Sequence, residues 1–269
     1  MHPIIQDPSL KPKPTKSKLP PSPSKRFVSN LANKTLEIQH FLNLCSQDEI
    51  LKDLSLDEHC LDFLLCFGLD LQIQNSLLYL GSKDRTWQEQ IFCFVDIETT
   101  HALPQKGNLL EIGAILCNGR GEILGRFEQL VHNTDIPPFI SEITGIQVDD
   151  VKYAPPIQHV LQEFRSFVGT SILVAHNVNF DYNFLDFLYL KYFKIGLYNQ
   201  TLCTLKIAQK TLQSPKYNLA FLNESLGIHT PIAHRAYADA QTCMEIFKYC
   251  SKFFPSHNMQ NILNWLSHS

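Results

Sequence analysis

The sequence predicts an α/β fold, a mixed sheet flanked by helices with a small, mainly helical N-terminal appendage. Three observations predict it. Residues 91–131 hold three strand-like runs in succession. Residues 155–250 then alternate helical and strand-like segments, the order that covers a sheet on both faces. Ahead of both, residues 36–90 carry helical apolar spacing of their own followed by a hairpin-like stretch.

Bulk properties set the limits. With 269 residues, 44% of them hydrophobic, the chain can bury a sizeable core. It has no apolar run of roughly 18 residues or more, so no helical membrane span is expected. The opening MHPIIQDPSLKPKPTK has Pro and Lys where an export signal needs an apolar stretch, and a cytoplasmic protein is expected. None of the eight cysteines forms a C-x-x-C pair, so zinc-site spacing is absent and they read as reduced core residues. Residues 1–35 carry seven Lys/Arg against one Asp; with a net charge of −3 overall, that +6 leaves −9 for the remainder. An acidic body attracts nucleic acid poorly by itself, but it suits a protein that gathers carboxylates around metal ions.

Taken in order, residues 1–35 read as a basic tail rich in Pro, Ser and Lys, extended or disordered. Residues 36–90 read as a small element of winged-helix type. LEIQHFLNLC and LDEHCLDFLLCFGL have helical spacing, and LQIQNSLLYLGS alternates like a strand pair. IFCFV (91–95) is a continuous apolar run suited to a central strand. LLEIGAILCN (109–118) and EILGRFEQLV (122–131) form a hairpin through GRG. PPIQHVLQEFRSFVG (155–169) is an amphipathic helix with Pro at its start and Gly after its end. SILVAH (171–176) is a short buried strand and NFDYNFLDFLYLKYF (179–193) an aromatic-rich helix. A strand near 198–203 follows, with helices near 204–212, 218–226 and 235–250. Residues 91–253 form the main α/β domain on this reading, and 254–269 a short C-terminal helix or tail.

Acidic residues mark the ends of several of these elements. Residues two apart on a strand share a face, so Asp96 and Glu98 project together from the end of the first strand. Two such carboxylates repel unless a cation sits between them, and oxygen ligands select Mg²⁺ or Mn²⁺. The bland alternative is an ordinary solvated strand end. Asp181 falls in the first turn of a helix, where an acid also favours the helix dipole with no further task. His234 precedes a helix that carries Asp239; on one helix the pair would lie about 140° apart, so His234 must sit in the loop to reach over the same site. Alone, each of these residues has an ordinary structural explanation.

Together, FVDIETT, HNVNFD and H-x-A-x-x-D, in this order, resemble the DEDD superfamily of 3′→5′ exonucleases over roughly residues 90–250. His234, five before Asp239, is the mark of the DEDDh branch; the sister branch has Tyr four before, where this chain has Arg235. Within that branch the chain is similar to the proofreading epsilon-type exonucleases of bacterial replicative polymerases. The resemblance implies a ribonuclease H-like fold with a mixed five-stranded sheet. It implies two Mg²⁺ ions, replaceable by Mn²⁺, held by Asp96, Glu98, Asp181 and Asp239, with His234 as general base. Thr99 would contact the terminal 3′ hydroxyl, and Ile146 of the ITGI stretch would pack with Phe180 against the last base and sugar. Thr100, His176 and Asn177, within the same motifs, join the expected substrate contacts. Single-stranded or frayed 3′ ends of DNA are the implied substrate, and a polymerase catalytic subunit the implied partner. A free-standing repair enzyme or an RNA-trimming exonuclease is the alternative, because the carboxylates read phosphate and not sugar. A non-catalytic binding module is disfavoured because none of the five key residues is missing.

The chain departs from the family pattern twice. Only residues 251–269 follow the last catalytic helix, so the expectation is either no polymerase attachment or one that runs through residues 1–90. His101 stands where D-x-E-T-T-G has glycine, and a tight turn with positive φ would there bear the strain of a side chain.

Overall fold

Described residues of the computed structural model are 22–54, 56–57, 61–230 and 234–267. The first element is helix α1 (Pro23–Leu31). Its Ser22 hydroxyl accepts from the Lys25 amide at 3.4 Å, Pro23 holds the first turn, and Phe27, Val28 and Leu31 are buried. The Pro and Ser that suggested an extended tail thus act, from residue 22 on, as the start signal of a helix with an apolar face; residues 1–21 lie outside the described residues. Next come β1 (Leu36–Glu37), α2 (Ile38–Gln47), α3 (Leu61–Leu65), β2 (Leu71–Gln74) and β3 (Leu77–Leu80). The strands form an antiparallel sheet in the order β1–β3–β2. Asn75 and Ser76, at φ 52° and 62°, make the two-residue turn between β2 and β3, the left-handed pair that suits strand twist. The helix expected to begin at Leu36 starts two residues later, since Leu36 and Glu37 pair with Leu78 and Leu77.

The main sheet comprises β4 (Ile91–Thr99), β5 (Leu109–Asn118), β6 (Ile123–Leu130), β7 (Ile172–Ala175) and β8 (Thr201–Cys203). Its order is β6–β5–β4–β7–β8; the first three strands are antiparallel, while β7 runs parallel to β4 and β8 parallel to β7. The expected mixed five-stranded sheet is therefore present. Around it stand α4 (Pro138–Thr144), α5 (Val148–Val151), α6 (Ile157–Val168), α7 (Asn179–Phe193), α8 (Thr204–Thr211), α9 (Leu219–Ser225), α10 (Ala236–Ser251) and α11 (Met259–Ser267). Period-two alternation along β4 divides the core. Cys93, Val95 and Ile97 pack with residues of α6 and α7, whereas Phe92 and Phe94 pack with residues of α8, α10 and α11. Asp96 and Glu98 continue the Phe92–Phe94 face and so project toward α10.

The N-terminal element is joined closely to this body. Its core includes Ile195 and Tyr198 from the segment before β8. The Tyr198 amide donates to the Phe67 carbonyl at 2.8 Å, and the guanidinium of Arg165 bridges that carbonyl and Asn199 at 3.1 and 2.9 Å. Asn33 and Asn264 exchange a reciprocal pair of 2.9 Å hydrogen bonds.

Candidate active site

Three carboxylates converge where β4 ends against the first turns of α10: oxygens of Asp96, Glu98 and Asp239 lie within 4.8 Å of one another. The strand face chosen by the alternation puts the first two there, and Gly113 on β5 lets the third approach. A Cβ on Gly113 would come within 2.0 Å of the Tyr237 amide nitrogen, so only glycine lets the start of α10 lie so close to the sheet. Asp181 reaches the same strand end from α7. It is 3% exposed, and its carboxylate is held by backbone amides, its own and that of Ile97.

Among the described residues Lys25 acts on Asp181 and Arg235 on Glu98, yet burial and mutual repulsion outweigh both, and the ionisation of these acids reflects this. Burial, then the nearby Asp181, Asp239 and Glu98, pushes Asp96 well above the usual carboxylate range. Burial and the Asp239 charge push Glu98 up to about 8. Burial pushes Asp181 up to about 7 against the pull of its amide donors. Asp239 is raised by burial while the nearby His234 pulls it down, and its Oδ1 is buried without a hydrogen-bond partner. Crowded carboxylates with spare lone pairs are a donor set for a hard divalent cation. His234 stands exposed just ahead of α10 in a left-handed conformation, φ 47°.

The expected substrate contacts divide into two sets. Phe180 is half-buried beside Asp181, its ring 6.2 Å from that of Phe184. Asn177 is exposed, with φ 83° at the sharp turn from β7 into α7. Thr99, itself buried, closes the strand end and spends its hydroxyl proton on the His101 carbonyl at 3.1 Å, leaving its oxygen lone pairs as acceptors. Other expected contacts are engaged inside the protein. Ile146 is 2% exposed, packed with Leu110, Ile136 and Val151; the left-handed Gly145 that ends α4 turns it inward and leaves Ile143 as the exposed apolar side chain of that stretch. Both ring nitrogens of His176 are occupied, Nδ1 with the Thr204 hydroxyl at 3.0 Å and Nε2 with the Tyr217 carbonyl at 2.6 Å; the carbonyl requires N–H at Nε2. Oγ1 of Thr100 accepts from the Asn108 amide at 2.8 Å, closing the loop into β5. His101 is not among the residues with positive φ, so the expected strain is not there; its Nδ1 accepts from the Leu103 amide at 2.9 Å.

Glu111 and Arg235 drew no functional reading from the sequence. Glu111 faces Glu98 across the β4–β5 ladder and is wholly buried. It accepts from Arg235 through Nε at 3.1 Å and Nη2 at 2.6 Å, and from the Ala236 amide at 3.0 Å. The residue between His234 and α10 is thus tied to the sheet. A lone charge inside the apolar LLEIGAIL run was the available signal.

A mixed five-stranded sheet whose central strand delivers paired acids to a carboxylate cluster defines a nuclease-type member of the ribonuclease H-like fold. The chain belongs to the RNase_T exonuclease family, which residues 93–247 match. It is 35% identical over 167 residues to the PolC-type DNA polymerase III of Thermotoga maritima, covering 62% of this chain and 12% of that protein. It is 35% identical over 158 residues to the DNA polymerase III epsilon subunit of Aquifex aeolicus, covering 58% of this chain and 78% of that one. Among solved structures, Escherichia coli exonuclease I bound to a dA16 oligonucleotide shares the fold with a TM-score of 0.56 at 17% identity, over 66% of this chain and 43% of that one. Among the described residues, no helix is long and apolar enough to cross a membrane.

Proposed function

We propose that this protein is a metal-dependent 3′→5′ exonuclease that removes nucleoside 5′-monophosphates from single-stranded or frayed DNA ends. The observation that carries the reading is the meeting of Asp96, Glu98 and Asp239 within 4.8 Å. Asp181, beside Asp96, completes the ligand set for two Mg²⁺ ions, which Mn²⁺ could replace. When bound, the ions would neutralise phosphoryl oxygens, activate water and favour departure of the 3′ oxygen.

The chain's own residues supply the rest. His234 takes the proton from the water whose oxygen bonds to phosphorus as the P–O3′ bond breaks. The phosphate stays on the released nucleotide, and the departing 3′ oxygen takes up a proton from solvent to become the 3′ hydroxyl of the shortened strand. Thr99 stands at the strand end for the terminal hydroxyl. Phe180 offers an aromatic surface to the last base, a contact indifferent to sequence. Ile143, exposed where Ile146 is not, replaces it as the apolar contact.

DNA as substrate, and a polymerase catalytic subunit as partner in proofreading, are supported by what the similar proteins are called. The buried reduced cysteines suit a cytoplasmic setting. The test is a 5′-labelled single-stranded DNA and a matched RNA incubated with the full chain, with and without Mg²⁺. Mg²⁺-dependent shortening of DNA from its 3′ end is expected. Preference for RNA would shift the substrate class, and no shortening of either would overturn the reading.

A further inference from the structure

Helix α7 carries Asp181 in its first turn, yet its N-terminus has no side-chain cap of its own, and the residue two before it, Asn177, is left-handed. Asp181 itself is held by its own amide and that of Ile97, and a second hold reaches the turn from outside the sheet. Lys25 of α1 donates from Nζ to Oδ1 of Asn179, the first residue of α7, at 2.8 Å, and lies 5.1 Å from the centroid of the Tyr182 ring. Burying an ammonium group is costly, and burial lowers this one to about 8. The groups that act on it electrostatically are Cys203, Lys206, Asp181 and Asp186.

The base from which Lys25 reaches is rigid. Phe27 lies edge-on to Phe41 and Tyr198 at 6.2 and 5.9 Å, and Val28 and Leu31 are buried beside it. Ser24 lies so close to the segment before β8 that a Cβ on Gly196 would meet its Oγ at 2.0 Å. On α7, Asn179, Tyr182 and Asp186 follow one another at helical spacing and form the face toward α1. Asp181, about 200° around the helix from Asn179, faces the end of β4. Holding one face of a first turn sets where the opposite face points.

We propose that Lys25 is a positioning residue of the nuclease site: contributed by the N-terminal element, it fixes the first turn of α7 through Asn179 and thereby places Asp181 against Asp96. The inference rests on the exonuclease reading. It makes the N-terminal element part of the catalytic unit, although the exonuclease match begins only at residue 93.

The test compares full-length wild type, Lys25→Met, Asn179→Leu and the double variant on single-stranded DNA at saturating Mg²⁺. Each single variant is expected to lower kcat by about tenfold, because small misplacements of a reacting centre are costly. KM for DNA should stay within about twofold. The double variant should lose no more than either single, as two ends of one contact must. Wild-type kcat in both single variants, whatever happens to the melting temperature, overturns the inference; so do losses that multiply in the double variant. Raised KM at unchanged kcat would make Lys25 a substrate contact and overturn the positioning role. Should Lys25→Met fail to fold, Asn179→Leu carries the same test. Inactive wild type overturns the exonuclease reading and this inference with it, whereas active wild type with unaffected variants overturns this inference alone.

Discussion

Glu98 and Glu111 face each other across the β4–β5 ladder, two glutamates in one sheet with opposite surroundings. Glu111 is wholly buried and answered on every side: Arg235 grips it through two nitrogens, and the Ala236 amide donates to it. Glu98 has acids for neighbours and is pushed up to about 8. The same chain can therefore neutralise a buried carboxylate when the fold requires it. Where it gathers Asp96, Glu98 and Asp239, burial and repulsion outweigh the pull of Arg235 and His234, at the cost of stability, and a cation is the partner such a cluster suits.

Asp96→Ala should separate the two kinds of carboxylate most sharply. On the proposed reading, loss of this metal ligand should remove several kcal/mol of transition-state stabilisation, about a thousandfold or more in Mg²⁺-dependent hydrolysis. Melting without metal should stay the same or rise, because a repelling buried acid is gone. Activity retained, or a folded state lost, would place Asp96 with Glu111 as a structural carboxylate. His234→Ala should come next, lowering kcat by about 10²–10⁴-fold, the usual contribution of a general base. Mn²⁺ binding followed by calorimetry should stay near wild type, and unchanged turnover would remove His234 from that role.

Arg235→Ala probes the other member of the comparison. It leaves Glu111 buried with only the Ala236 amide, and should destabilise the protein by about 3 kcal/mol in chemical denaturation. Glu111→Ala should cost less, because Arg235 is 40% exposed and can hydrate once released. The reverse order would mean that the pair is held by something other than the buried charge.

A smaller effect should appear with pH. Unfolded, Asp181 and Glu98 would ionise near 3.8 and 4.5; folded, they are raised to about 7 and about 8. Raised carboxylates contribute stability that is fully present in acid and lost as pH rises through the folded values. Metal-free protein should therefore melt lower at pH 8.5 than at pH 6. The rise in melting temperature on adding Mg²⁺ should grow over the same interval, because ligands bind metal deprotonated. A Mg²⁺ effect independent of pH would contradict the unbalanced cluster.

How much of this was legible in the sequence depended on whether a residue's partners lay nearby in the chain. The central strand and α7 were readable because apolar runs and aromatic spacing are local signals; α7 falls on residues 179–193 as read. The four acids were readable because their motifs are short. Helix α1 was not, since its apolar residues Phe27, Val28 and Leu31 follow a Pro-, Ser- and Lys-rich stretch, and their partners Ile195 and Tyr198 are far along the chain. Ile146 was read as a surface contact, yet it is buried while Ile143 of the same stretch is exposed, a difference of burial that the short motif does not encode. Glu111 meets Arg235 across 124 residues, a pairing that no local pattern announces.

His101 offers the smallest expected effect and a check on how far the loop beyond Glu98 belongs to the site. Its ring caps the Leu103 amide, its carbonyl accepts from Thr99, and a Cβ on Gly107 would meet that same carbonyl oxygen at 2.7 Å. The loop is thus wound around the His101 backbone, which needs no left-handed residue at that point. His101→Gly keeps the backbone and removes one side-chain hydrogen bond while loosening the unfolded chain, so stability should fall by about 1 kcal/mol. Hydrolysis should change by less than about twofold, since surface loop substitutions away from the chemistry rarely act further. A tenfold change in kcat would instead show that the His101 ring reaches the nucleotide, and would extend the functional side of the comparison from the carboxylates of β4 into the loop that follows.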